Sequence, residues 1–462
     1  MTTIVQTVTP STRRNAELLL LLLAVGITLL AWVSVDLGVR ATVPAQLTTI
    51  GGGLLGLAVL FHLVLRWRAA YADPILLPIA TLLNGLGLLM IHRIDLSKGR
   101  YGLDSDAARQ LLWTGLSMAT AAAVVLIVRD HRLLRRRTFT AMTAGVGLLM
   151  LPFVPGLGAS VLGSRVWIRI GPMSFQPGEI AKLALAVFFA GYLVHTRDVL
   201  SLAGKRVLGF TFPRVRDLGP IMIAWLMSLA VLVLQNDYGF SLLLFGLFLV
   251  LLYVATERRS WIAIGMLMIS FAGAAAYFAV GHIRERVEIW IDPFAPAALT
   301  QSDQLAKGLM GMAAGGLFGT GLGQGRPWLV PFADSDFIFA SFGEELGLFG
   351  VFVIIALYGV FVERGIRTAL GVRDGFGKLL AVGLSFSVAL QVFIIVGGVT
   401  RVLPLTGLTT PFMSLGGSAL LANWTLMALL LRISDQARRP VPDHATEPEP
   451  PQLTADTQVV SR

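Results

Sequence analysis

The sequence predicts an all-α polytopic membrane protein, a helical bundle of about twelve transmembrane helices, and three observations carry that reading. The chain of 462 residues is 55% hydrophobic and only 14% charged, where a soluble domain carries roughly a quarter charged residues. Apolar runs of about 18 or more residues, long enough to cross the hydrocarbon core, recur along nearly the whole chain. The basic residues gather between those runs, as in Arg129, Arg132, Arg135, Arg136 and Arg137, which is the loop bias of a membrane protein.

The first span, 16–38, follows Arg13 and Arg14 and lacks a small-residue cleavage site, so it reads as an uncleaved helix rather than a signal peptide. The second, 46–67, completes an N-terminal pair. The remaining spans fall near 73–93, 108–128, 139–156, 174–195, 218–235, 239–255, 260–281, 337–362, 376–400 and 410–433. Loop charge places both termini in the cytoplasm, because the opposite topology would put Arg129–Arg137, Lys205–Arg206 and Arg258–Arg259 outside. The expected organisation is a cytoplasmic N-terminus (1–15), the N-terminal pair (16–67), a core (68–435) with a large extracytoplasmic loop (281–336), and a disordered cytoplasmic tail (436–462).

Several functions are disfavoured. The absence of cysteine excludes disulfides and thiolate metal sites. The six histidines are scattered, which argues against zinc. The net charge of +10 is accounted for by the loops; nucleic-acid binding would need a basic face on a soluble module. The segment Gly319-Thr-Gly-Leu-Gly-Gln-Gly325 has no preceding strand and no βαβ context, so it reads as tight turns rather than a nucleotide loop.

Four places carry chemistry. Asp336 stands where the long polar loop runs into the tenth apolar helix; it reads either as a helix N-cap or as a general base at headgroup level. Glu179 and Lys182 lie at i,i+3 within a span, so they share a face. Such charges face a bundle interior or a polar cavity, either as a structural pair or with Lys182 toward a phosphate and Glu179 fixing it. The outer loop 156–173 carries Arg165, Trp167 and Arg169 and leads into Gln176. Near the C-terminus, Pro404–Gly407 and Pro411–Ser418 interrupt the helix. Irregular backbone at membrane depth belongs where it lines a cavity or is buried in protein, so Ser414 and Ser418 offer hydroxyls to a sugar or pyrophosphate, or form a small-residue packing face.

Taken together, Phe175-Gln-Pro-Gly-Glu-Ile-Ala-Lys182, Gln235-Asn-Asp-Tyr-Gly239, Trp290-Ile-Asp-Pro293, Gly315–Gly323, Asp336-Phe-Ile-Phe-Ala340 with Gly343–Gly347, and Pro411–Ser418 resemble, in that order, the SEDS family of peptidoglycan polymerases, the group containing RodA and FtsW. The resemblance spans about Asp73 to Arg432. It implies a glycosyltransferase that joins lipid II units, with inversion, on the outer face of the cytoplasmic membrane. The family's essential carboxylate falls on Asp336, and its intramembrane glutamate and lysine on Glu179 and Lys182. Arg165, Trp167, Arg169, Gln176, Gln304, Ser414 and Ser418 are implied substrate contacts. Lys182, Arg165, Arg169 or a divalent cation (Mg2+ or Mn2+) would neutralise the leaving pyrophosphate, without an organic cofactor. A class B penicillin-binding protein is the implied partner.

The chain departs from the family in places. Pro331-Phe-Ala-Asp-Ser335 replaces Pro-Glu-Ala-His-Thr, Arg165-Val166-Trp167 shifts an Arg-Trp pair by one, Ser174 stands where an arginine is common, and Ser302-Asp-Gln-Leu305 replaces Gly-Tyr-Gln-Leu. The family core has ten spans, so the pair at 16–67 is additional. That extension, with Asp73–Pro78, His92–Asp95 and Gly397–Arg401, is most similar to the actinobacterial elongation-type branch rather than the division type. The competing classes are a lipid II flippase, for which repeat symmetry and a midplane site are missing, and a scaffold for a partner synthase, which would need no essential carboxylate.

Overall fold

A computed structural model describes residues 12–43, 47–161, 163–171, 173–202, 204–207, 210–213, 226, 230 and 233–440. Among them are ten helices long and apolar enough to cross a membrane, and the shorter apolar stretch Thr138–Phe153. The span expected at 218–235 and the tail from 441 lie almost wholly outside the described residues.

Helices α1 (Arg14–Arg40), α2 (Leu47–Arg68), α3 (Leu76–Ser97) and α4 (Asp106–Ile127) come first, with Ser105 capping α4 by accepting the Ala108 N–H. A short turn, α5 (Arg132–Arg135), leads to α6 (Thr138–Met150). The stretch at 156–173 is not a plain loop. Strands β1 (Gly158–Val161), β2 (Ser164–Ile170) and β3 (Met173–Phe175) form an antiparallel sheet in the order β1-β2-β3, with Gly158 opposite Ile168 and Ile168 opposite Phe175. Val166 and Ile168 are buried while Arg165 and Arg169 are exposed, the period-two alternation of a half-buried strand.

Next come α7 (Pro177–Leu202), the hairpin β4 (Gly204–Val207) and β5 (Phe210–Pro213), α8 (Tyr238–Thr256) and α9 (Ser260–Ala279). The long loop holds three short helices, α10 (Gly281–Ile291), α11 (Pro296–Gln301) and α12 (Gln304–Gly315). The bundle closes with α13 (Ile338–Gly371), α14 (Gly375–Val399) and α15 (Gly417–Arg438).

Three boundaries correct the expected ones. Helix α13 continues beyond 362 because a Glu363–Arg367 i,i+4 pair extends it past its apolar stretch. It is also two helices end to end, broken at Gly347 (φ 69°, ψ −173°). The last span begins at Gly417 rather than 410, because the backbone before it bonds elsewhere, and it runs on to Arg438, past the expected start of the tail. Helices α3, α7, α14 and α15 are the most enclosed, whereas α9 is largely exposed along its length. On the N-terminal side of the bundle Arg432 donates to the carbonyls of Arg68 (2.8 Å) and Val128 (2.7 Å), joining α15 to the ends of α2 and α4.

Candidate active site

Asp336 does not begin a helix. The cap position of α13 is Phe337, with no side-chain cap hydrogen bond, so the N-cap reading fails. Asp336 sits instead in a tight turn. The Phe332 carbonyl accepts both the Ser335 and Phe337 N–H groups at 3.0 Å, and Phe332 itself has φ 56°. The re-entrant segment 404–416 clamps that turn. Ser414 Oγ donates to the Ser335 carbonyl (2.6 Å) and accepts the Thr410 N–H (2.8 Å), and the Leu415 N–H donates to the Asp334 carbonyl (2.8 Å). Gly407 (φ 73°) is so close that a side chain there would start 3.8 Å from Asp336 Oδ2. Phe332 in the turn and Phe412 in the clamping segment both have left-handed backbone, φ 56° and 65°, and such strain gathers at functional sites.

Among the described residues Asp336 accepts no hydrogen bond and forms no ion pair, whereas its neighbour Asp334 pairs with Lys98 at 3.0 Å. Burial pushes the Asp336 carboxyl up to about 7; Asp334 and Asp237 add repulsion, and Arg286 opposes it. Asp237 is the cap of α8, accepting the Phe240 N–H at 3.0 Å. Burial raises it to about 6, against that bond, and Glu179 raises it further. Arg286, on α10, lies in the field of both aspartates and donates to the Leu405 carbonyl at 3.3 Å; burial lowers it from the usual guanidinium range. A cation thus lies within electrostatic reach of two carboxyls that burial pushes up from the usual carboxylate range.

Glu179 and Lys182 form the expected pair, at 3.0 Å, with both side chains buried. Lys182 Nζ also donates to Gln391 Oε1 (2.9 Å), and Gln391 Nε2 donates to the Thr409 carbonyl (2.7 Å). Two of the lysine's three N–H donors are therefore engaged, and the chain of bonds ends on the segment that clamps the Asp336 turn. Other buried side chains donate to the same segment: the amides of Asn84 (Nδ2 to the Phe412 carbonyl, 3.3 Å) and Gln110 (Nε2 to the Ser414 carbonyl, 3.0 Å), and the Tyr358 hydroxyl to the Pro411 carbonyl. This is how irregular backbone is satisfied away from water.

The other sequence-derived residues are distributed unevenly. Arg165 and Arg169 are exposed and Trp167 half-buried on the outer face of β2. The Arg165 N–H donates to the Gln235 carbonyl (3.0 Å), docking the sheet on the turn before Asp237. Gln176 is half-buried ahead of α7. Gln304 opens α12, and α12 lies against Phe337, whose ring is 2.7 Å from where a Cβ at Gly308 would stand. Ser414 is committed to the wall of the turn, and Ser418 is buried in the first turn of α15. Sequence reasoning missed Asp237, Arg286, Gln391, Asn84 and Gln110. Asp237 was signalled by its place in Gln235–Gly239; the amides carry no local signal. No group of three or more His, Asp or Glu side chains among the described residues is arranged to hold a metal ion.

The family model described as "Cell cycle protein", FtsW/RodA/SpoVE, matches residues 74–439. The chain is 48% identical over 456 residues to the peptidoglycan glycosyltransferase RodA of Mycobacterium tuberculosis (strain ATCC 25618 / H37Rv), covering 98% of this chain and 96% of that one. Against RodA of Mycobacterium leprae (strain TN) it is 45% identical over 475 residues, 99% and 98% of the two chains. A solved structure titled "Structural coordination of polymerization and crosslinking by a peptidoglycan synthase complex" superposes with TM-score 0.64 at 25% identity, covering 79% of this chain and 98% of that one. This polytopic membrane protein therefore belongs to the FtsW/RodA/SpoVE family.

Proposed function

We infer that the chain is an elongation-type peptidoglycan polymerase, a glycosyltransferase whose general base is Asp336. Its nearly full-length identity to mycobacterial RodA supports the enzyme class; a flippase is not favoured. The observation that carries the base assignment is an unpartnered carboxylate with a proton affinity near neutrality, held in a turn braced from two sides.

The substrate is a lipid-linked disaccharide-peptide, lipid II, presented at the outer face of the membrane, with both termini of the chain cytoplasmic. In the reaction an acceptor hydroxyl oxygen attacks the anomeric carbon of the donor sugar. The bond from that carbon to the lipid pyrophosphate breaks, and the hydroxyl proton passes to Asp336. A pyrophosphate is already a good leaving group and needs no acid, unlike glycoside hydrolysis with its two carboxylates. A base with a pKa near the working pH suits such a step. Arg286 is the cation best placed to stabilise the developing negative charge, with Arg165 and Arg169 at the rim. Lys182 acts through its bonds to Gln391 and the clamp rather than as a free ammonium. Mg2+ or Mn2+ bound chiefly through pyrophosphate oxygens is compatible with so few protein ligands, and no step is routed through it. A class B penicillin-binding protein is the partner that would crosslink the product.

The test is polymerisation of purified lipid II by the detergent-solubilised chain with that partner. Wild type should build glycan strands and Asp336→Asn none, at equal complex formation. Equal polymer from both would remove Asp336 as the base.

A further inference from the structure

Residues 14–68, which form α1 and α2, lie outside the family match at 74–439. Yet the C-terminal end of α1 touches one of the family's own motifs. Gln324 Nε2 donates to the Gly38 carbonyl at 3.2 Å. A side chain at Gly38 would start 2.9 Å from the Leu322 carbonyl oxygen, and one at Gly323 would start 2.9 Å from the Val35 carbonyl oxygen. Leu322 packs on the small core of Trp32, Val35, Leu88, Leu89 and Leu96. The backbones of α1 and the glycine loop are in contact with nothing between them.

That loop is in turn fastened to the half-helix that follows Asp336. The Thr320 N–H donates to the Glu344 carbonyl (2.9 Å) and the Gly321 N–H to the Glu345 carbonyl (3.0 Å). Glu345 Oε2 accepts the Gly323 N–H (2.9 Å), and Glu344 Oε1 accepts the Arg326 N–H (2.7 Å). Arg93, from α3, donates to Glu345 Oε1 (2.9 Å) and to the Gly325 carbonyl (2.7 Å). A glycine is obligatory at 319, where φ is 82° and a Cβ would lie 2.2 Å from the Glu345 carbonyl oxygen.

We propose that the C-terminal end of α1 is a positioning element for Asp336, acting through Leu322–Gln324 and the Glu344–Glu345 anchor; this rests on Asp336 being the base. Among the described residues the carboxylate has no bond of its own to hold it, so its placement depends on the half-helix, and the half-helix on the loop that α1 backs. Misplacing a reacting group by about 1 Å costs up to about 10²-fold in rate.

The experiment uses the full-length chain in the lipid II assay and compares Gly38→Leu with Gly26→Leu. Gly26 lies on the same helix with open space around it. Gly38→Leu should lower kcat about tenfold or more, leave KM for lipid II within about twofold, and speed amide exchange across Thr320–Arg326. Gly26→Leu should change none of these. Gln324→Ala, which removes only the bond to Gly38, should shift kcat and exchange the same way by about two- to tenfold; it keeps the test decisive if Gly38→Leu fails to fold. Faster exchange with full polymerisation would overturn the proposal, and so would a kcat loss without faster exchange. Asp336→Asn run alongside separates the two claims. Inactive Asp336→Asn with wild-type kcat in Gly38→Leu would sink the positioning role alone, whereas active Asp336→Asn would sink both.

Discussion

The half-helix from Ile338 to the break at Gly347 has acids at both ends, and they are treated in opposite ways. Glu345 is buried against Arg93 and a backbone N–H, and Glu344 accepts the Arg326 N–H. Asp336, just before the first turn, has no such partner among the described residues, and its proton is held to about 7. Partnered carboxylates are spent on holding a glycine loop in place. A carboxylate kept from its partners is left with the proton affinity that base catalysis requires.

The largest effect expected from breaking this contrast is on rate. Asp336→Asn should cost about 10²–10⁴-fold in polymerisation, the range for a positioned base, with the fold intact. Next comes the opposite end. Arg93→Met strands Glu345 without its cation, which should cost about 3–5 kcal/mol, read as a drop in thermal midpoint. The double variant Arg93→Met/Glu345→Gln should recover most of that loss, because the cost lies in the unpaired charge.

The contrast is sharpened by pH. Burial raises the Asp336 carboxyl in the folded protein from the ordinary carboxylate value to about 7. The protonated form is therefore favoured by folding: its stabilisation is full below about pH 4 and is lost as pH rises through 7. Polymerisation should rise as pH passes through about 7, where the base ionises in the folded protein. Asp336→Asn should accordingly have a higher melting temperature than wild type at pH 8 and an equal one below pH 4. A melting temperature lowered at pH 8 would mean that Asp336 is a structural acid like Glu345. The smallest effect is expected for Lys98→Ala. Lys98 and Asp334 form an exposed pair, worth about 0–1 kcal/mol, so the variant's stability should be almost that of wild type.

Much of the fold was legible without coordinates. The starts of α2, α8, α9, α13 and α14 fall within a residue of the expected ones, because a span is written as a run of apolar residues with polar ends. The failures have equally local causes. Helix α13 outlasts its apolar run because a charged i,i+4 pair continues it. The β1–β3 sheet escapes a reading by hydropathy although Arg165-Val-Trp-Ile-Arg-Ile170 alternates, because a seven-residue strand is far shorter than a span. The start of α15 was placed early because hydropathy does not see Pro411 and the two glycines at 416 and 417 as a break.

At the site, the i,i+3 spacing of Glu179 and Lys182 was enough to predict their pairing, and the boundary position of Asp336 was enough to single it out. Its freedom from capping was not, because an aspartate before a helix reads the same whether or not it turns toward the backbone. Sequence by itself determined the membrane class, the order of the spans and the acids worth examining, since these follow from the local alternation of apolar and polar residues. Only the tertiary structure decided which acids are paired. It brought Arg93 to Glu345, Gln391 to Lys182, Arg286 into the field of Asp336, and α1 against the glycine loop. Those contacts join residues far apart in the chain, and a charge or an amide keeps the same letter whatever it faces.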